Sequence, residues 1–140
     1  MVNPNSCTHD AGYTINTNSL PWLPLAPKVT IKIIKLVPST GEYSIMVHAE
    51  PGGILPRHRH LENAEIYILK GSGAHPQTGE FVQGDYVSEA KGATHDAVVF
   101  GDEVELLMVS RGASVFLGED GEELYTMDVN WLRNFREGFR

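Results

Sequence analysis

From Val29 onward the chain is a succession of short segments rich in Val, Ile, Phe and Tyr. Gly or Pro interrupts them every 8 to 12 residues or so, which is the signature of a sandwich or barrel. Strands are expected at about 29–37, 42–50, 54–60, 64–70, 80–82, 85–88, 95–100, 103–110, 113–118 and 123–127. The stretches "PSTGE", "PGG", "KGSG", "QTGE" and "GEDGEE" supply the Gly and Pro that sharp reversals need. Only the tail, "VNWLRNFREGF", reads as a helix: Leu132 and Phe135 lie three apart, Asn130 is the expected cap and Gly138 the expected stop.

Residues 1–28 have a different texture, rich in Asn and Pro, and Pro21, Pro24 and Pro27 exclude a helix interior. They form an extended arm, expected to cover a sheet edge or a neighbouring subunit, with a pocket lid led by Trp22 as the alternative. The layout predicted is an arm (1–28), a β-barrel (29–128) and a short C-terminal helix (129–140), in one compact domain.

With 18 acidic against 11 basic residues and a net charge of −7, the chain lacks the cations that a nucleic-acid backbone demands. Cys7 is the single cysteine and has no internal partner; the start "MVNPNSCTHD" lacks a basic-then-apolar leader pattern. A cytoplasmic location is expected. No apolar run approaches the roughly 18 to 20 residues that cross a bilayer.

Within "LPRHRHLENAEIYILKG", His58 and His60 stand two apart in an expected strand, so their side chains share a face and can reach one ion. A third donor must come from elsewhere. His95, in "GDYVSEAKGATH", follows a Gly-containing turn and sits where another strand brings it opposite the pair.

These residues resemble the two cupin motifs: Gly52, His58-Arg59-His60 and Gly71 match the first, and Gly84, Gly92 and His95 the second, with Ala90 and Val99 replacing its usual proline and asparagine. The resemblance implies an all-β, single-domain jelly-roll barrel. It also implies a glutamate after the second histidine. Counted from His60 that is Glu65; counted back from Gly71 the slot falls on Ala64. A one-residue slip reverses the face, so both cannot point inward. Since His60 to Gly71 keeps the usual length, Ala64 is expected inside, with no carboxylate among the donors; Glu65 entering after a bulge, or no metal at all, are the alternatives.

The chain further resembles acetylacetone-cleaving (β-diketone) dioxygenases, which hold Fe(II) with three histidines. His58, His60, Glu65 and "IYILKG" are similar to their first motif, Glu89 stands six residues before His95 as a carboxylate near their site does, and "VFLGEDGEELYTMDVNW" is similar to their closing segment. Pro76 departs from that family, which places an arginine facing the site in this region. The resemblance implies a metal centre of His58, His60 and His95, Fe(II) as cofactor (Zn, Ni or Mn as isolated), a keto-enol substrate with O2, and a homodimer or homotetramer. Glu89 is the candidate catalytic residue, fixing the His95 tautomer or taking the substrate's acidic proton; a solvated turn carboxylate is the alternative.

Glu80 and His75 are assigned to an exposed hairpin, and His48 to a packed or surface position beside Met46. Tyr67, Phe81, Tyr86, Phe100, Met108 and Phe116 are candidate pocket or core residues. Arg57 and Arg59 should point outward, and His9 and Cys7 carry no chemistry. Two competing readings are a non-enzymatic zinc-binding cupin sensor and a cupin isomerase or metal hydrolase using Mn or Zn.

Overall fold

The computed structural model describes residues 11–139; Cys7 and His9 lie outside them. In chain order the strands are β1 (Leu23–Ala26), β2 (Val29–Val37), β3 (Glu42–Ala49), β4 (Ile54–Leu55), β5 (His58–His60), β6 (Ala64–Lys70) and β7 (Ser72–His75). They continue with β8 (Gly79–Val82), β9 (Tyr86–Glu89), β10 (Thr94–His95), β11 (Val98–Val99), β12 (Val104–Ser110), β13 (Ser114–Leu117) and β14 (Glu123–Met127), before helix α1 (Val129–Glu137).

A six-stranded antiparallel sheet, in the order β1-β2-β3-β12-β6-β9, faces a four-stranded one, β10-β5-β13-β14. Period-two burial drives this arrangement. On β3, Tyr43, Ile45, Val47 and Ala49 are buried while their neighbours are half-buried, and β12 sets Ser110, Met108, Leu106 and Val104 directly opposite them. Phe116 and Met127 of the second sheet close the same core, the usual way two half-apolar sheets bury their faces.

Two small ribbons, β4 with β11 and β7 with β8, complete the strands. The segments expected at 54–60 and 95–100 are each broken into two short pieces, because β5 and β10 pair in one sheet while β4 and β11 pair in another. Strands β1 and β7 have no counterpart among the expected ones. Strand β1, which carries Pro24, lies at the sheet edge, where a missing N–H does least harm. At Gly71 φ is 88°, and a Cβ there would strike the backbone carbonyl of Glu103.

The described part of the arm lies against the sheet. Leu23 enters the core, whereas Trp22 packs on the outer face, 5.7 Å from the His48 ring and under Lys32 Nζ at 4.7 Å. Lys32 is buried and donates to Thr17 O at 2.9 Å, so a cation–π contact and a hydrogen bond pin the arm. Trp22 is therefore no lid over the interior.

Helix α1 packs on β14 and β2, burying Val129 and Leu132. Its cap is Asp128, which accepts from Trp131 N at 2.7 Å, and not Asn130, which falls inside the first turn. Phe116, Tyr125, Trp131 and Phe135 stack in one column with centroids 4.8, 5.1 and 5.0 Å apart. Among the described residues no helix is long and apolar enough to cross a membrane.

Candidate metal centre

Strand β5 is flanked by β10 and β13, with His95 and Phe116 both opposite His58 and Ser114 opposite His60. This register aims three imidazoles into the space between the sheets. The ring centroids of His58, His60 and His95 lie 4.9, 5.0 and 5.4 Å from one another, and all three residues are buried.

A carboxylate joins them. Ala64 on β6 is fully buried, and Glu65 faces away, accepting from Tyr86 Oη and from Arg111 Nη2, each at 2.7 Å. So far the sequence reading holds. However, Ala64 pairs directly with Glu89 of β9, so Glu89 points to the same side and is 2% exposed. No carboxylate was expected among the donors themselves, with Glu89 only near them; the neighbouring strand brings that carboxylate within reach of the histidines. A solvated turn position for Glu89 is excluded too.

Glu89 Oε1 lies 3.2 Å from His60 Nε2, and Oε2 lies 3.2 Å from His95 Nε2 and 3.1 Å from His75 Nε2. His58 Nε2 is 3.2 Å from His60 Nε2. Glu89 thus belongs to two groups of mutually close donors, one with His58 and His60, the other with His75 and His95.

His75 was expected on an exposed hairpin; it is buried at the end of β7. The reason is parity. Gly73 and His75 share a face with their partner-strand residues Phe81 and Gly79, and Phe81 is core. Anchoring the alternation on Phe81 would have found it. Glu80, on the other face, is exposed as expected.

The donor set fits a divalent cation. Donors about 2.1 Å from one ion stand about 3.0 Å apart at a right angle and about 3.4 Å at the tetrahedral angle, which brackets the spacings here. Glu89 Oε1 and His95 Nε2 are buried without a hydrogen-bond partner, a costly state for polar atoms unless an ion satisfies them. His58 Nδ1 donates to Pro56 O at 2.9 Å, leaving the lone pair on Nε2, where it faces the site. His60 Nδ1 meets Ser114 Oγ at 3.2 Å.

Burial pushes the His95 imidazole down to about 4 and His58 below its ordinary value, so both are neutral and ligand-ready at neutral pH. For Glu89, burial alone would raise the carboxyl, but contacts with His60 and His75 and the nearby His95 hold it well below the usual carboxylate range.

Two apolar chambers flank the centre and share Leu55, His58 and Met108. One extends past Glu89 and His75 to Phe81 and Phe100, the other past His60 to Tyr43, Phe116 and Leu25 of the arm. Of the candidate pocket aromatics, Tyr67 and Tyr86 are instead exposed on the outer face. Arg57 and Arg59 point outward, 3.7 Å from Asp96 and 3.5 Å from Glu123. His48 is half-buried outside the barrel, 3.4 Å from Glu103.

Comparison with known proteins agrees with this architecture. An acetylacetone dioxygenase from Acinetobacter johnsonii superposes with a TM-score of 0.84 over 100% of both chains at 17% identity. An RmlC-like cupin protein from Ralstonia eutropha gives 0.83 at 21% identity, covering 91% of this chain and 85% of that one. Rhodobacter sphaeroides SigE in complex with the anti-sigma ChrR gives 0.58 at 18% identity, covering 68% of this chain and 50% of that one. At such identities these likenesses show the cupin fold alone. No curated protein matches the sequence. The model of the ChrR cupin-like domain matches residues 10–115, and the chain accordingly belongs to that cupin family.

Proposed function

We propose that this protein is a mononuclear metal-dependent dioxygenase, using Fe(II), that cleaves a C–C bond of a β-diketone or related keto-enol substrate. The observation carrying it is that buried Glu89 shares one group of close donors with His58 and His60 and another with His95, beside two apolar chambers. The whole-length likeness to an acetylacetone dioxygenase supports the reading.

His58, His60 and His95 through Nε2, and Glu89 through Oε1, would hold the ion. When bound, Fe(II) supplies the redox and Lewis-acid chemistry that the reaction of an enolate with O2 requires. Three neutral imidazoles and one carboxylate leave a net charge of +1 at the centre, which still attracts an anionic enolate, though less than a carboxylate-free set would. A carboxyl held well below its usual range is a weak base. We therefore assign Glu89 to the donor set instead of to proton removal. Leu55 and Met108 line both chambers, where their apolar side chains would shield a chelating substrate from water and set its two arms apart.

Anaerobic reconstitution with Fe(II), followed by addition of acetylacetone or an aryl analogue under oxygen, tests the reading. Oxygen uptake that disappears in His60→Ala is expected; no uptake across a panel of such diketones rejects it. Assembly as a homodimer or homotetramer through residues 1–28 belongs to the same reading, supported by the edge position of β1, and sedimentation tests it.

The ChrR family match favours one other reading, a zinc-binding sensor. Zinc retained through purification, with no oxygen uptake after iron loading, would select it.

A further inference from the structure

His75 is the fifth polar group of the buried cluster, and it raises a choice. With Glu89 and His95 it forms a group of donors close enough to hold a cation of its own, which would make Glu89 a bridge between two ions. The alternative is that His75 serves Glu89 and binds no ion.

The hairpin turn decides between them. His75 Nδ1 receives two backbone N–H groups, from Gln77 at 3.1 Å and Thr78 at 3.2 Å. A backbone N–H only donates, so Nδ1 carries the lone pair and the ring proton sits on Nε2. That nitrogen faces Glu89 Oε2 at 3.1 Å. It is a donor to the carboxylate and has no lone pair for a metal. His58 is set the opposite way, with Nδ1 giving its proton to Pro56 O.

We propose that His75 is a positioning residue, which pins Glu89 Oε2 with a neutral N–H and so keeps the carboxylate monodentate through Oε1 on a single ion. The positions that a chelating carboxylate would close then stay open for a bidentate guest. The turn is itself fastened over the centre: Gln77 Nε2 donates to Asp96 Oδ2 at 2.7 Å and Asp96 N donates to Gln77 Oε1 at 3.0 Å, beside His95. The proposal rests on the assignment of a divalent cation to this site.

Two measurements test it. In the metal-free protein, long-range proton–nitrogen spectra of labelled histidine read the tautomer directly; a proton on His75 Nε2 is expected, and one on Nδ1 overturns the proposal. In cation titrations, wild type should take one Zn(II) per chain. His75→Ala should still take one, with affinity lowered about 10- to 100-fold and a changed visible spectrum of the Co(II) form, and His75→Gln, whose amide keeps an N–H donor, should restore both. Two Zn(II) per chain in wild type, falling to one in His75→Ala, overturns the proposal, as does His75→Ala with unchanged affinity and spectrum. Wild type that binds neither cation overturns it together with the proposed function, whereas the other adverse results leave that function standing.

Discussion

Ala64 and Glu89 are direct partners across β6 and β9, both buried and both facing the space between the sheets. A carboxylate on either strand therefore reaches the same point. Ala64→Glu alone should place two carboxylates where one fits and lower stability, since like charges in a buried site cannot both ionise. Ala64→Glu combined with Glu89→Ala should bind Zn(II) better than Glu89→Ala does by itself. Calorimetric titration of the three variants checks this.

Acid should weaken the metal-free fold before ordinary carboxylates titrate. His95 is held at about 4 against an ordinary 6.5, so between those values the unfolded chain takes up a proton that the folded chain refuses. Stability falls as pH drops through that window, at up to about 1.4 kcal/mol per pH unit for one such group. His58, also depressed, adds in the same direction. Glu89 contributes stability above the carboxylate range that is lost as pH falls below it. Urea midpoints at pH 7 and pH 5 should differ less in His95→Gln than in wild type.

Gly71→Ala should cost roughly 2 kcal/mol or more, combining a left-handed backbone with an obstructing carbonyl. Thermal melts check it, and an exposed positive-φ control, Gly121→Ala, should cost less because nothing lies near its Cβ.

Met108 borders both chambers. Its replacement by Ala should open one into the other and raise turnover of diketones with bulky arms relative to acetylacetone, read as the ratio of kcat/KM values.

Strand parity made much of this legible. The shared face of His58 and His60 follows from a two-residue period within one segment, whereas the approach of His95 was read from the turn before it, and the inward Ala64 with outward Glu65 from the cupin length between His60 and Gly71. Glu89 was legible only as a carboxylate near the site, and His75 not as a site residue at all, because their direction depends on pairing with another segment, Glu89 on Ala64 and His75 on the ribbon that holds Phe81. Tyr67 and Tyr86 misled for a related reason: alternation says which residues share a face, and only the second sheet decides that the Ile66 and Ile68 face is covered. Asn130 lost the cap to Asp128 because the helix starts two residues earlier than a cap at Asn130 implied.

The aromatic column under α1 ends at the centre, since Phe116 also lies 5.2 Å from the His58 ring. Trp131, two rings further out, is thereby a built-in optical gauge: its emission should change when the C-terminal helix peels away, so tail undocking can be followed in the unlabelled chain and timed against release of an added cation.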